Sequence, residues 1–223
     1  MGALFGCGNQ ITMYIYDKYK LAFHHNAKCG GISMIDILRD ALGLADVHFG
    51  SHYLHQYARV IHPVPYRKYK EHPHAPLFVK FDLMDKLGID YSELDIIAVV
   101  RNPFERLVSF WNFSKLAEGN PAKRMDCNAF VRYLIETHPP WIQGLSKQML
   151  VNEEIPENVV IFKLEELDQT LPPFIKARTG QSIEMCRKNV HPHDTWQSIL
   201  SQKSIDLIRK EERVIFEKFY PDI

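Results

Sequence analysis

"LAFHHNAKCGGISMIDILRDALG", residues 21–43, decides the fold class of this 223-residue chain. Its apolar start, Leu21 to Phe23, reads as a short strand over residues 21–25, and Met34, Ile37, Leu38 and Ala41 then recur at helical spacing until Gly43 ends the pattern. Between strand and helix lies a tight loop, Asn26 to Ser33, carrying Lys28 and the adjacent Gly30 and Gly31. A glycine-bearing loop at a helix start turns unsatisfied backbone N–H groups outward and meets the positive end of the helix dipole. Such a loop suits an anion, and Lys28 adds a full positive charge.

Further along the chain, "DIIAVV" at 95–100 and "NVVIFK" at 158–163 are short, continuous, β-branched runs. That is the pattern of strands buried on both faces of a parallel sheet. "ITMYIY" at 11–16 reads as another strand, and Ser204 to Phe219 as a terminal helix stopped before Pro221. No internal repeat or low-complexity tract interrupts the series. The expectation is therefore an α/β protein: a single domain over residues 1–223, with a central, mostly parallel sheet flanked by helices.

Composition narrows the partners. Lysine plus arginine equals aspartate plus glutamate at 27 each, so no global field draws the chain onto nucleic acid or an anionic membrane, and any anion site must be local. Hydrophobic content is 46%, yet no apolar run approaches the length of a membrane span, and no signal-peptide pattern opens the chain. "MGALFG" has Gly6 where a myristoylation signal needs Ser or Thr. Cys7, Cys29, Cys127 and Cys186 have no C-x-x-C spacing and are too sparse for a disulfide scaffold, which fits a reducing cytosol.

The segment "HPVPYRKYKEHPHAP", residues 62–76, differs in kind. Four prolines break regular structure while Tyr66, Arg67, Lys68, Tyr69 and Lys70 mix aromatic faces with positive charge. It reads as an ordered surface loop, either a solvated connection or a ligand-facing segment.

After the strand at 95–100 comes "RNPFERLVSFW", residues 101–111. Asn102 is a good N-cap, Pro103 fits the first helical turn, and Glu105 completes an Asn variant of the capping box. Phe104, Leu107, Val108 and Trp111 follow core-face spacing, which puts Asn102, Glu105, Arg106 and Ser109 on the opposite side. A phosphate over that side could take the Arg101 fork and the Ser109 hydroxyl together. Two strand–loop–helix units, each presenting anion donors at the C-terminal end of a strand, match the place where an open α/β sheet binds its ligand. Two separate anion sites suggest a ligand with phosphates at both ends.

"NAKCGGIS" followed by "VVRNPFERLVSFW" resembles the sulfotransferase superfamily that uses 3'-phosphoadenosine 5'-phosphosulfate (PAPS), and within it the carbohydrate-type branch, sulfotransferase family 2. Lys28, Gly30, Gly31 and Ser33 match that branch's PKTGGTS-like loop for the 5'-phosphosulfate. Arg101, Asn102, Pro103, Arg106 and Ser109 match its RNPxxRxxS motif for the 3'-phosphate. "VVIFKLEEL" at 159–167 looks like the family's later strand with an acidic-leucine pair. Ala27, Cys29 and Ile32 depart from the pattern, and Ile32 removes a hydroxyl donor, leaving backbone N–H groups to serve there.

The resemblance implies a P-loop-like sulfotransferase fold and direct in-line transfer of a sulfuryl group to an acceptor hydroxyl, most simply on a carbohydrate, with no metal required. The nucleotide product is adenosine 3',5'-bisphosphate (PAP). Residues 28–33, namely Lys28, Cys29, Gly30, Gly31, Ile32 and Ser33, would with Arg101 and Ser109 hold the nucleotide, and Lys28 would also stabilise the leaving group. A histidine would serve as base. The chain has eleven, and the family's H-x-x-A pattern falls on His72 with Ala75, ahead of His74 and of His52 and His55. His48, His52 and His55 are also open to a zinc reading at i, i+4, i+7, but Gly50 interrupts that helix and neither cysteine nor carboxylate lies nearby. The His191–His193 pair suits a loop closing over nucleotide.

Two other readings stay open. One is a magnesium/ATP-dependent P-loop-like phosphotransferase, although Walker A chemistry puts its lysine after the glycines and Lys28 precedes them. The other is a nucleotide-binding protein without turnover. Animal members of the resembled family usually carry a Golgi membrane anchor, so the compartment implied is the cytoplasm for a bacterial-type soluble enzyme, or the Golgi lumen for the trimmed domain of a longer chain.

Overall fold

The structure, a computed structural model, describes residues 13–49, 76–116, 120–138, 144–185 and 195–223. Among them, strands β1 (Met13–Tyr16), β2 (Leu21–His24), β3 (Val47–Phe49), β4 (Asp95–Val100) and β5 (Val159–Lys163) form one sheet in the order β3-β1-β2-β4-β5. β2, β4 and β5 are parallel neighbours, with His24 beside Ala98 and Val99 beside Phe162. β1 runs antiparallel to β2 and to β3.

The sheet is thus mixed, which corrects the expectation of a mostly parallel one at its β1 side. The reason is the length of the connection. Only the Asp17–Tyr19 3-10 turn and Lys20, at φ 50°, separate β1 from β2. A parallel crossover needs a dozen residues or more, so this link can only fold back.

The parallel core follows from its composition. β2 is buried along its whole length, and β4 from Ile96 to Val100: Leu21–Phe23 and Ile96–Val100 are uninterrupted apolar runs, and the one polar residue, His24, is buried beside Lys80. Flanking them are α1 (Gly31–Leu42), α2 (Leu77–Leu87), α3 (Pro103–Ser114), α4 (Cys127–Thr137), α5 (Leu145–Met149), α6 (Leu167–Thr179), α7 (Trp196–Ile199), α8 (Gln202–Glu211) and α9 (Arg213–Phe219). Met34, Ile37 and Leu38 bury the inner face of α1, and Met34 and Leu38 join Phe23, Ile97, Val99, Phe104 and Val108 in one connected core. At about 25 cal/mol per Å² of apolar surface, such full burial is the main force holding both helices to the sheet.

The terminal helix expected over 204–219 is instead two, α8 and α9, which meet at Glu212. Glu212 leaves helical geometry, at φ −104° and ψ 25°, and its carboxylate is only 2% exposed. No described helix is long and apolar enough to cross a membrane.

Candidate functional site

The loop between β2 and α1 is held from below. Asn26 Nδ2 donates to the Val99 carbonyl at 3.0 Å, and Arg106 Nε donates to the Ala27 carbonyl at 3.0 Å. With those groups turned inward, Lys28 is left in the left-handed region at φ 64°, and Gly30 follows at φ 74° as the N-cap of α1. A Cβ at Gly30 would stand 2.7 Å from Leu164 Cδ1, and one at Gly31 only 1.8 Å from the His25 ring. Gly30 is therefore required by its backbone angle and Gly31 by close packing against the His25 ring. No side chain caps α1 at Gly30, so its first turn keeps the outward-facing donors of an uncapped helix start.

The second unit begins as the sequence reading expects, with one exchange. Asn102 Oδ1 accepts from the N–H groups of Phe104 at 2.9 Å and Glu105 at 3.4 Å, and Pro103 occupies the first helical position. The reciprocal bond of a capping box is absent, because the Asn102 N–H donates to Glu165 Oε1 at 3.0 Å. Glu165 belongs to the short turn after β5 and also accepts from the Tyr220 hydroxyl at 2.8 Å. Glu105 is thereby released to the Arg101 guanidinium, 3.5 Å away.

Arg106 corrects a larger expectation. Helical periodicity assigns it to the ligand-facing side, yet it is 1% exposed. Beyond its bond to Ala27 it approaches Glu212 Oε1 at 3.5 Å, and the two Glu212 oxygens accept from the N–H groups of Leu145 and Ser146, each at 2.8 Å. The α8–α9 junction, through Glu212, thus meets the part of α3 that an isolated helix would give to solvent, and the same carboxylate caps α5. This arginine is a strut under the loop between β2 and α1.

What remains on the open side is a strip along α3. Arg101, Glu105 and Ser109 are half-buried and Phe113 is 46% exposed, each four residues from the next. Over the far end of the strip, Lys28 Nζ sits 4.3 Å from the centre of the Phe113 ring. Burial and the nearby Arg101 charge push the Lys28 amine down to about 8 from 10.5, and no carboxylate of the described residues offsets them. Lys28 and Arg101 are thus close enough for their charges to repel, and among the described residues no carboxylate is paired with Lys28.

The other candidates fall as follows. Ile32 is 51% exposed and Ser33 half-buried in the first turn of α1. The Cys29 side chain is buried, with Sγ 3.5 Å from the Ala27 carbonyl, and burial pushes its thiol up to about 11. Its backbone N–H donates to the Asn26 carbonyl at 3.4 Å, so Cys29 turns away from the open side. His72, His74, His52, His55 and the His191–His193 pair lie outside the described residues, as does the loop at 62–75. His48 lies in β3, which removes the helical spacing on which the zinc reading depended. The two histidines beside the loop are interior: His24 Nδ1 lies 2.6 Å from Lys80 Nζ, and the His25 ring stacks on Phe23 at 6.2 Å.

Sequence reasoning missed Phe113 and Glu165. Phe113 was legible as the next i+4 position after Ser109. Glu165 had no local signal, since it acts on Asn102 from 63 positions away. Compared with known proteins, the chain matches no family model and no curated protein sequence.

Proposed function

We propose that this protein is a PAPS-dependent sulfotransferase, acting on a hydroxyl of a carbohydrate. The observation that carries the reading is the pair of cations, Lys28 and Arg101, set after adjacent parallel strands β2 and β4, with no carboxylate balancing Lys28 among the described residues. The ends of parallel strands are where open α/β sheets take their ligands. The strip from Arg101 through Ser109 offers a second set of anion donors beside Lys28, which supports a ligand carrying more than one phosphate or sulfate group.

In this reading Arg101 and Ser109 take the 3'-phosphate, and Lys28, the α1 N-terminus and Ser33 take the 5'-phosphosulfate. The acceptor oxygen attacks sulfur in line, forming a new S–O bond as the bond from sulfur to the bridging phosphate oxygen breaks. The electron pair of that bond leaves with PAP, where protonated Lys28 stabilises it. The acceptor proton passes to His72, worth roughly 10² to 10⁴ in rate. Tyr66, Arg67 and Tyr69 supply stacking and ion-pairing groups suited to a sugar.

A thermal-shift comparison of PAP with ATP plus magnesium tests the reading. PAP should raise the melting temperature with a concentration dependence that reports its Kd. Stabilisation by ATP and magnesium alone would overturn it in favour of phosphoryl transfer.

A further inference from the structure

Phe113 lies outside both anion motifs, on the last turn of α3. Lys28 is anchored at its backbone, where Arg106 fixes the preceding carbonyl and φ is 64°. Only its four-carbon stem can search for a position, and Arg101 repels the amine that the stem carries. The face of an aromatic ring is negative and attracts an ammonium within about 6 Å of its centre. The 4.3 Å separation from the Phe113 centroid is well inside that range.

We propose that Phe113 is the positioning residue of Lys28, its ring face forming the seat that keeps the ammonium charged and aimed over the α3 strip before ligand arrives. The charged and titratable groups acting on Lys28 are Arg101 at the end of β4 and the Cys29 thiol in its own loop, while α3 contributes the ring. Burial and then Arg101 lower the amine's proton affinity, and the ring's negative face works against them. The seat therefore preserves the form of lysine that can meet a developing negative charge. Its catalytic consequence rests on the sulfotransferase reading, whereas its existence does not.

The test replaces the ring and keeps the apolar cover. In Phe113→Leu, Lys28 should titrate lower by roughly half to one pH unit, the size of a cation–π contact at a partly desolvated site. In Phe113→Trp it should titrate at or above the wild-type midpoint. Competitive acetylation across pH, read at Lys28 by mass spectrometry on the ligand-free protein, gives both midpoints. If the leucine variant titrates like wild type, Phe113 merely fills space and the proposal falls. The high-pH limb of the transfer rate should move down with the Lys28 midpoint in Phe113→Leu and recover in Phe113→Trp. A shifted midpoint in a protein that binds no PAP would retain the seat and overturn the sulfotransferase reading. Intact PAP binding with an unmoved midpoint would do the reverse.

Discussion

Arg101 and Arg106 stand five positions apart at the start of α3 and have opposite surroundings. Arg106 is sealed between the Ala27 carbonyl and a carboxylate that itself caps α5. Arg101 lies at the mouth of the loop, with one guanidinium nitrogen 3.5 Å from Glu105 and Lys28 close enough to be repelled. The difference separates a cation sealed into the fold from one left half-buried, where the proposed 3'-phosphate would meet it. A buried charge must be paired to be tolerated, whereas a charge kept for a ligand is left incompletely satisfied at an opening.

The largest effect should come from breaking the sealed side. Glu212→Gln or Arg106→Met should each cost about 3–5 kcal/mol in chemical denaturation, because each strands a buried partner. The double variant should recover much of that loss. Additive losses in the cycle would show that the two side chains do not act as a pair.

Gly31→Ala comes next, at about 1–3 kcal/mol, since the new methyl must displace the His25 ring. Its PAP affinity should fall along with its stability. An alanine variant as stable as wild type would mean that the His25 ring is not held where the loop needs it.

Arg101→Ala probes the open side and should leave stability within about 0.5 kcal/mol. PAP binding should weaken about tenfold to a hundredfold, the worth of one or two charge-assisted hydrogen bonds. A nucleotide without the 3'-phosphate should lose little, as titration calorimetry can show. Equal losses for both nucleotides would remove Arg101 from the 3'-phosphate contact.

How much of this was legible in the sequence depended on how local each cause was. β4 was read at its observed bounds because its burial on both faces is written in an uninterrupted β-branched run. The Asn102 cap was legible because its acceptor and donors lie within three residues. Arg106 was not, because periodicity places a side chain around its own helix axis without knowing what covers it. Its cover includes Glu212, 106 positions away. Likewise the Glu165 contact competes with a local capping box from a distant strand end, and no window of the sequence contains both. Of the candidate site, the loop and the Arg101–Ser109 strip are described, while His72 lies outside the described residues.

Lys28 ties the comparison to pH. Its folded value of about 8 lies below the ordinary 10.5, so the unfolded chain holds that proton more tightly. The resulting penalty on folding is present below about pH 8 and fades as the pH rises from there to about 10.5. Lys28→Met should accordingly be more stable than wild type at pH 7, with the advantage shrinking by pH 10 in parallel denaturation curves. A bound anion favours the charged amine, so PAP affinity should fall as the pH climbs through 8. A flat pH dependence would dissociate Lys28 from the ligand. The smallest effect expected is in Glu105→Gln, which removes the carboxylate charge beside Arg101 and should tighten PAP by at most about twofold, near the worth of a weak helix pair.

In the sulfotransferase reading, the left-handed backbone at Lys28 sets stability against chemistry at a single codon. That conformation costs a non-glycine residue about 1–3 kcal/mol, and glycine or asparagine would occupy it with less strain. A mutant library sorted only for resistance to unfolding should therefore fill position 28 with Gly or Asn. The same library sorted for transfer should return lysine, so the two selections would diverge first at this residue.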